Sequence, residues 1–389
     1  MKKNTYISSF LLLLIALYGG SITSVKQSEP VITLNVTANH PLKELILQDF
    51  MVVEYVALET TDEFVCQGIV LDVGKEIMLV INIIQDGNIY IFDRKGKGLG
   101  IINRKGQGKE EYLSLFRRVV NLDEENNEIF VSDDRGINVY DYHGNFLRRF
   151  PRGAGSNFVS IRNFDRYHFF CRETSVRVTD KSTESQPFAI ISKKDGSIVK
   201  DFHLRIRRGI DNRIRTNEGF TLLIASSEMS IIPSFSGWLL SDISSDTIYR
   251  LLPDFRLTPF MTRTPSVYAM NPEVFLIPAL LTDRYFFLDI VKKEFDRNVN
   301  GGIPSTALLY DRQEQKTFRY CLFNGDYTTK KTVDEFFAKS NEIAFWQKIE
   351  AFELVEANKK GELKGKLKEI AATLDEESNP VIMLVKYKK

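Results

Sequence analysis

Cysteine is scarce in this sequence. The three cysteines, Cys66, Cys171 and Cys321, cannot all pair, and their wide spacing matches neither a disulfide framework nor a zinc motif. Each lies among apolar or aromatic neighbours, so we expect buried free thiols. Only four histidines occur, and no spacing places two of them on one metal ion. The sequence therefore predicts no metal site and no cofactor.

An excess of charge of either sign is also missing. The chain of 389 residues has 52 Lys and Arg against 51 Asp and Glu, a formal net charge of +1. Proteins that bind nucleic acid or a membrane surface usually carry a basic excess. We therefore expect no nucleic-acid partner. The local cluster Arg205-Ile206-Arg207-Arg208 is interpreted as a solvated loop.

One apolar run without a charge stands at the N-terminus, from Phe10 to Leu17. Lys2 and Lys3 precede it and small residues follow at 19–21, which is the layout of a secretion signal. The run is too short to span a bilayer as a permanent helix. We interpret residues 1–24 as a signal peptide that is removed, and a retained N-terminal anchor as the alternative.

The N-terminal interpretation also predicts where the protein resides. The first cysteine is Cys66, so no cysteine follows the apolar run at the position that lipid attachment requires. We expect a mature chain that begins near residues 22 to 25, has no transmembrane segment, and is exported to the periplasm or cell surface of a Gram-negative bacterium.

A short motif recurs along the chain at intervals of about fifty residues. An apolar or tyrosine-containing strand end, often followed by aspartate, runs into a glycine turn at 91–96, 139–144 and 191–196, with weaker echoes at 248–250 and 309–311. Short stretches rich in Val, Ile, Phe and Tyr surround these turns. A repeat of this length in an all-β sequence is typical of a propeller, in which each unit is one four-stranded blade.

The repeat ends near residue 331. Leu363, Leu367, Ile370 and Leu374 then follow at helical spacing, so we predict a helical segment over about 333–376. A strand at 380–387 follows it and lacks a neighbour of its own. Pairing of this strand with residues 52–58 would close the ring and remove its exposed edges. The prediction is thus an all-β, six-bladed propeller over residues 25–389, closed by N- and C-terminal strands, with a C-terminal helical insertion.

Three segments resemble a known family. They are Glu54-Tyr55-Val56-Ala57-Leu58-Glu59-Thr60-Thr61, Arg104-Lys105-Gly106-Gln107-Gly108-Lys109-Glu110-Glu111-Tyr112 and Asn379-Pro380-Val381-Ile382-Met383-Leu384. In this order and at these separations they are similar to the six-bladed β-propeller family of Bacteroidetes-type envelope proteins, which is related in fold to NHL-repeat propellers. The resemblance covers nearly the whole mature chain. It implies export and a propeller scaffold, and it supplies no catalytic residues.

The second of these segments is the candidate binding loop. It joins the first two blades and carries polar groups suited to a polar or acidic partner, so Arg104, Lys105, Gln107, Glu111 and Tyr112 are the candidate site residues. Lys109 and Glu110 stand where the family has Pro-Gly. The alternative is structural: the glycines allow the crossover while Tyr112 packs between blades.

Sequence motifs of known enzymes are missing. The stretch from Gly96 to Gly108 lacks the spacing of a phosphate-binding loop, because Asn103 occupies the earlier glycine position and Glu110 follows Lys109. Nucleophile-elbow, zinc-protease and EF-hand patterns are also absent.

Three functions remain open. The first is a non-enzymatic binding or interaction module in the bacterial cell envelope, with a protein, peptide or glycan ligand. The second is a propeller hydrolase or lyase with a metal in the central channel. The third is a structural subunit of an envelope assembly. Fold analogy alone does not choose among them.

Overall fold

The computed structural model describes residues 30–83, 86–115, 120–133, 135–151, 158–173, 184–216, 218–225, 227–234, 236–334 and 336–388. The predicted signal peptide, residues 1–24, lies outside the described residues.

Most of the chain forms six sheets that follow one another as blades. The strands before the first blade are β1 (Ile32–Asn35), β2 (Leu42–Ile46) and β3 (Met51–Ala57), with a one-turn helix α1 (Leu47–Phe50) between the last two. Blade 1 contains β4 (Ile69–Val73), β5 (Ile77–Ile81), β6 (Asn88–Asp93) and β7 (Gly98–Asn103). Blade 2 contains β8 (Val120–Asp123), β9 (Glu128–Asp133), β10 (Gly136–Asp141) and β11 (Phe146–Pro151). Blade 3 contains β12 (Phe158–Asn163), β13 (His168–Glu173), β14 (Glu184–Ser192) and β15 (Ile198–Arg205).

The second half adds a hairpin, three more blades and two helices. The hairpin consists of β16 (Arg213–Arg215) and β17 (Thr221–Leu223). Blade 4 contains β18 (Ile231–Ser234), β19 (Gly237–Leu240), β20 (Thr247–Leu251) and β21 (Leu257–Thr264). Blade 5 contains β22 (Val274–Leu281), β23 (Tyr285–Lys292), β24 (Ser305–Asp311) and β25 (Lys316–Phe323). Blade 6 contains β26 (Ile343–Ile349), β27 (Val381–Tyr387) and β3, with α2 (Ala351–Lys359) and α3 (Gly365–Ala371) between β26 and β27. Short 3-10 helices occur at Ser227–Ser230, Val267–Ala269 and Asn300–Gly302.

This arrangement confirms the predicted six-bladed propeller. Between blades 3 and 4 the chain adds the separate hairpin of residues 213–223, and blade 4 begins at Ile231. Among the described residues, no helix has the length and apolar character that a membrane crossing requires.

Each blade buries both of its faces against its neighbours. In β9, Ile129 and Val131 pack with blade 1 while Phe130, between them, packs with Phe169 of blade 3. Side chains of a strand alternate between the two faces of its sheet, so a blade that lies between two others needs apolar residues at consecutive positions. This explains the continuously apolar and buried sequence Ile-Met-Leu-Val-Ile of β5.

The recurring aspartate and glycine shape the turn between the third and fourth strands of a blade. In blade 1, Asp93 Oδ1 accepts hydrogen bonds from the backbone N–H groups of Lys95 and Lys97. Gly96 has a φ of 88°, and a Cβ there would overlap the carbonyl oxygen of Ala57 in blade 6. The repeat thus combines a turn with a close contact to the preceding blade.

The predicted closure of the ring is confirmed. In blade 6, β27 lies between β26 and β3 and is antiparallel to both, with Val381 opposite Ala57 and Tyr387 opposite Met51. The C-terminal strand therefore pairs on one side with a strand from the beginning of the chain.

The N-terminal contribution is larger than this single pairing. Strand β1 adds to blade 4 parallel to β21, and β2 adds to blade 5 parallel to β25. Together with β3 in blade 6, these strands form an N-terminal belt, residues 32–57, which runs along three successive blades. Leu34 and Leu45 of the belt are buried in the apolar core that blades 4, 5 and 6 share.

An ion-pair network fixes the belt to blade 5. Lys43 Nζ lies 2.6 Å from Asp311 Oδ2, and the same carboxylate accepts a 2.8 Å hydrogen bond from Arg284. Burial alone would raise the pKa of Asp311, but the hydrogen bonds from Arg284 and Lys43 hold it well below its usual range. Asp311 belongs to the last echo of the sequence repeat, so the repeat position here also anchors the belt.

A second contact joins the chain ends at Asn379, whose residue exposure is only 2%. Its Nδ2 donates to the carbonyl oxygens of Glu59 and Phe64 at 2.7 and 2.6 Å, and its Oδ1 accepts from the backbone N–H of Cys66 at 2.8 Å. Every polar atom of this buried amide is thus paired, as burial requires.

The predicted helical segment of about 333–376 is too long. Residues 343–349 form β26, and the helices are limited to α2 and α3. Leu363 and Leu367 are buried in the same core as Val381 and Met383, so these apolar side chains pack against blade 6 of the same chain. The expectation for the cysteines holds in part: all three are free, Cys66 and Cys171 are buried, and Cys321 is partly exposed.

We predict that Asn379→Ala lowers the free energy of unfolding by about 3 kcal/mol, because Glu59 O and the buried N–H of Cys66 lose the partner that Asn379 supplies, and Phe64 O keeps only a 3.5 Å bond from Thr61 N. Chemical denaturation with matched m-values measures this change. Asn298→Ala is the control, since Asn298 is exposed and its amide donates to Asp296 two positions earlier, so the substitution should change stability by less than about 0.5 kcal/mol. Equal effects of the two substitutions would contradict this role of Asn379.

Candidate functional site

The loop from Arg104 to Tyr112 is a folded turn that rests on blade 2. Its two ends pair, since Tyr112 N donates to Arg104 O at 3.0 Å and Gly106 N donates to Tyr112 O at 3.1 Å. Side chains of blade 2 hold its carbonyl oxygens: Asn138 donates to Glu111 O and Tyr140 Oη donates to Glu110 O.

Arginines of blade 2 complete the support of this loop. The Arg135 guanidinium donates to the carbonyl oxygens of Gln107, Gly108 and Glu111. Arg149 donates to Lys109 O at 3.2 Å. The carbonyl groups of Lys109 and Glu110 are thus paired with blade 2.

Two of the five candidate residues hold the loop together. Tyr112 is fully buried. Its hydroxyl donates to Gly87 O at 2.6 Å and accepts from Arg104 N at 3.0 Å, and burial raises its pKa. Glu111 is half-buried, and its carboxylate accepts from Gly108 N at 2.7 Å. The structural alternative, in which Tyr112 packs between blades, therefore describes Tyr112, and the Glu111 carboxylate also stabilises the loop.

The other three candidates are exposed. Arg104 lies against blade 2, where its Nε donates to Gly144 O at 2.6 Å. Lys105 and Gln107 extend from the turn with exposed side chains. Binding by this loop stays a prediction, and these three side chains are the ones that a ligand can reach.

A large central cavity is the second candidate, and sequence reasoning did not assign residues to it. It has a volume of about 1260 Å³ and is lined by residues from all six blades. Its lining contains seven basic and eight acidic side chains among the described residues, together with serine and asparagine. Residues that line it, such as Val52 and Lys388, are separated by more than three hundred positions, so no local spacing reveals it.

Hydrogen bonds between blades fix one side of this cavity. Asp72 of blade 1 accepts from Leu122 N of blade 2 at 2.8 Å, and Asn163 of blade 3 donates to Leu122 O at 2.7 Å. Burial raises the pKa of Asp72, and its hydrogen bonds from Leu122 and Val73 oppose this shift. These bonds align the first strands of blades 1, 2 and 3 along the cavity.

Other carboxylates of the cavity wall are also engaged. Asp123 lies 2.9 Å from Lys193 Nζ, and both side chains are buried. Glu124 of blade 2 accepts from the backbone N–H groups of 75–77 in the first turn of blade 1. Among the described residues, no group of three or more His, Cys, Asp or Glu side chains is arranged to hold a metal ion.

Comparison with known proteins supports the predicted family. The profile of a family described as 6-bladed β-propeller matches residues 24–345. A crystal structure of a "Putative exported protein" from Bacteroides fragilis NCTC 9343 is similar with a TM-score of 0.56 and 16% sequence identity, over 92% of this chain and 100% of that one. The Neurospora crassa Pan2 WD40 domain gives a TM-score of 0.34 and 9% identity, over 66% and 69% of the two chains. No curated protein matches the sequence.

Proposed function

Since the chain belongs to a family of six-bladed β-propellers, we propose that it is an exported, non-enzymatic binding module of the bacterial cell envelope whose ligand enters the central cavity. The observation that carries the proposal is the cavity itself. Its volume of about 1260 Å³ is ample for a small ligand, and polar side chains from several blades converge on it.

The engaged carboxylates favour binding over catalysis. Asp123 is paired with Lys193, and Glu124 and Asp72 accept backbone N–H groups. A general acid or base must exchange its proton with a substrate, which these structural hydrogen bonds hinder. Fixed polar groups of this kind suit a preformed binding site, because the side chains lose little conformational freedom when a ligand binds.

Export is supported by the N-terminal sequence and by the similar Bacteroides fragilis protein, which is named "Putative exported protein". Removal of the proposed signal peptide predicts a mature chain that begins near residues 22 to 25. Mass spectrometry of the protein from a periplasmic extract of the expressing cells measures this. A full-length chain confined to the cytoplasm would contradict export.

Binding at the cavity predicts that a ligand raises Tm of the mature protein by a few degrees when present at about 100 times its Kd. The test is a thermal-shift screen with three classes of compound: oligosaccharides, short peptides and nucleotides. Arg166→Ala should remove the shift, because Arg166 lines the cavity. Gln107→Ala is the matched control on the exposed loop and should keep it.

Three outcomes would contradict this proposal. If no class of compound raises Tm, the cavity is not a binding site for these ligands. If Gln107→Ala removes the shift while Arg166→Ala keeps it, the site is the loop. If the bound compound is converted to a product, the protein is an enzyme.

A further inference from the structure

The hairpin between blades 3 and 4 is a sheet of its own with an exposed face. Strands β16 and β17 pair with each other, and in their register Arg213 lies opposite Leu223 and Arg215 opposite Thr221. Side chains alternate along a strand, so these four residues share one face, which we call the outer face. All four are exposed.

The other face of the hairpin packs against the propeller. Ile214 lies against the apolar cluster that contains Val267 and Phe275. Leu222, which pairs with Ile214, is also partly buried. The outer face is therefore the side of the hairpin that a partner can reach.

Two large apolar side chains of the hairpin are exposed. Phe220 is 66% exposed and Leu223 is 59% exposed. Phe220 lies at the tip, where Thr216 N donates to Phe220 O at 2.9 Å and closes the turn. Apolar side chains that are exposed together and surrounded by polar groups are typical of an interaction surface.

Positive charge is concentrated in the same segment. Residues 207–223 contain four arginines against Asp211 and Glu218, a net charge of +2, whereas the whole chain has +1. The two carboxylates are already paired, Asp211 with Arg213 and Glu218 with Arg297 of the loop between β23 and β24. The four arginines of the segment, all of them exposed, are Arg207, Arg208, Arg213 and Arg215.

An anionic membrane surface matches both features of the hairpin. Its phosphate groups attract arginines, and its headgroup region accepts the exposed side chains of phenylalanine and leucine. An acidic protein segment would match the arginines but would not by itself cover Phe220 and Leu223. A second copy of this chain would bring arginines against arginines.

We propose that this hairpin docks on an anionic phospholipid surface, with its arginines at the lipid phosphates and with Phe220 and Leu223 in the headgroup region. This role is separate from ligand binding in the cavity and does not depend on it. The arginines are exposed, so salt screens their attraction to the lipid and weakens the docking.

Sedimentation of the mature protein with lipid vesicles tests this docking. Wild type should bind vesicles that contain phosphatidylglycerol at low salt, and it should not bind vesicles of pure phosphatidylcholine. The double variant Arg213→Ala/Arg215→Ala should bind at least about tenfold more weakly, because two cations are lost from the contact. The matched control Lys366→Ala/Lys368→Ala removes two exposed cations of α3 and should stay within about twofold of wild type.

The apolar part of the contact has its own variants. Phe220→Ser should weaken vesicle binding about fivefold, because the inserted ring is lost. Phe352→Ser is the matched control, since Phe352 is 52% exposed on α2, and it should bind like wild type. These variants should keep the wild-type Tm, because each replaced side chain is exposed.

A spectroscopic signal gives an independent readout of insertion. Brominated phospholipid quenches tryptophan only at close range, so it should quench the added tryptophan of Phe220→Trp. Wild type has only Trp238 in blade 4 and Trp346 in blade 6, and its fluorescence should change little.

The outcomes also separate this inference from the proposed function. Failure to bind phosphatidylglycerol vesicles, or equal binding by wild type and Arg213→Ala/Arg215→Ala, would show that the hairpin does not dock on lipid. If polyglutamate binds wild type but not this variant while vesicles bind neither, the hairpin serves an acidic protein and the lipid assignment is wrong. A thermal shift caused by a cavity ligand should be the same in wild type and in the hairpin variants, so each proposal can fail alone.

Discussion

A ring of sheets is complete only when its first and last strands pair, because any open sheet edge offers unpaired backbone groups to solvent or to another chain. In this protein the pairing of β27 with β3 supplies that closure. The first and third family segments, 54–61 and 379–384, meet there: Asn379 donates to Glu59 O, and Val381 lies opposite Ala57. The belt extends the same principle, since β1 and β2 carry the beginning of the chain along blades 4 and 5.

The propeller fold also determines which strands form the walls of the central cavity. First strands from successive blades stand side by side around it, and side-chain bonds such as Asp72 to Leu122 keep them aligned. A cavity with walls held in this way is preformed.

Much of the fold could be predicted because blade strands have strong local patterns. Strands β5, β6, β9 and β10 combine β-branched and aromatic residues with turn residues at fixed positions. Strand β8 escaped prediction because it is short and places the polar Asn121 and Asp123 beside the cavity. The parallel pairing of β1 and β2 was also missed, since no local pattern encodes a partner more than two hundred residues away.

The candidate site was less predictable, because its residues contact partners that are distant in the sequence. Tyr112 looks like a surface residue in a polar loop, but the Gly87 carbonyl that accepts its hydroxyl lies 25 positions earlier. Helical periodicity at 363–374 indicated a helix correctly, yet it could not show that β26 comes first and limits the helical segment. Contacts between blades form only in the closed ring, so the sequence pattern of a single blade does not predict them.

Native-state hydrogen exchange across β3 and β27 tests the closure most directly. If the ring depends on this pairing, the amides of 381–387 and those amides of 51–57 that bond to β27 exchange only when the whole propeller unfolds, with the same free energy as those of β9 in blade 2. Exchange of both segments through a local opening, while β9 stays protected, would show that the blades hold together without the joined ends.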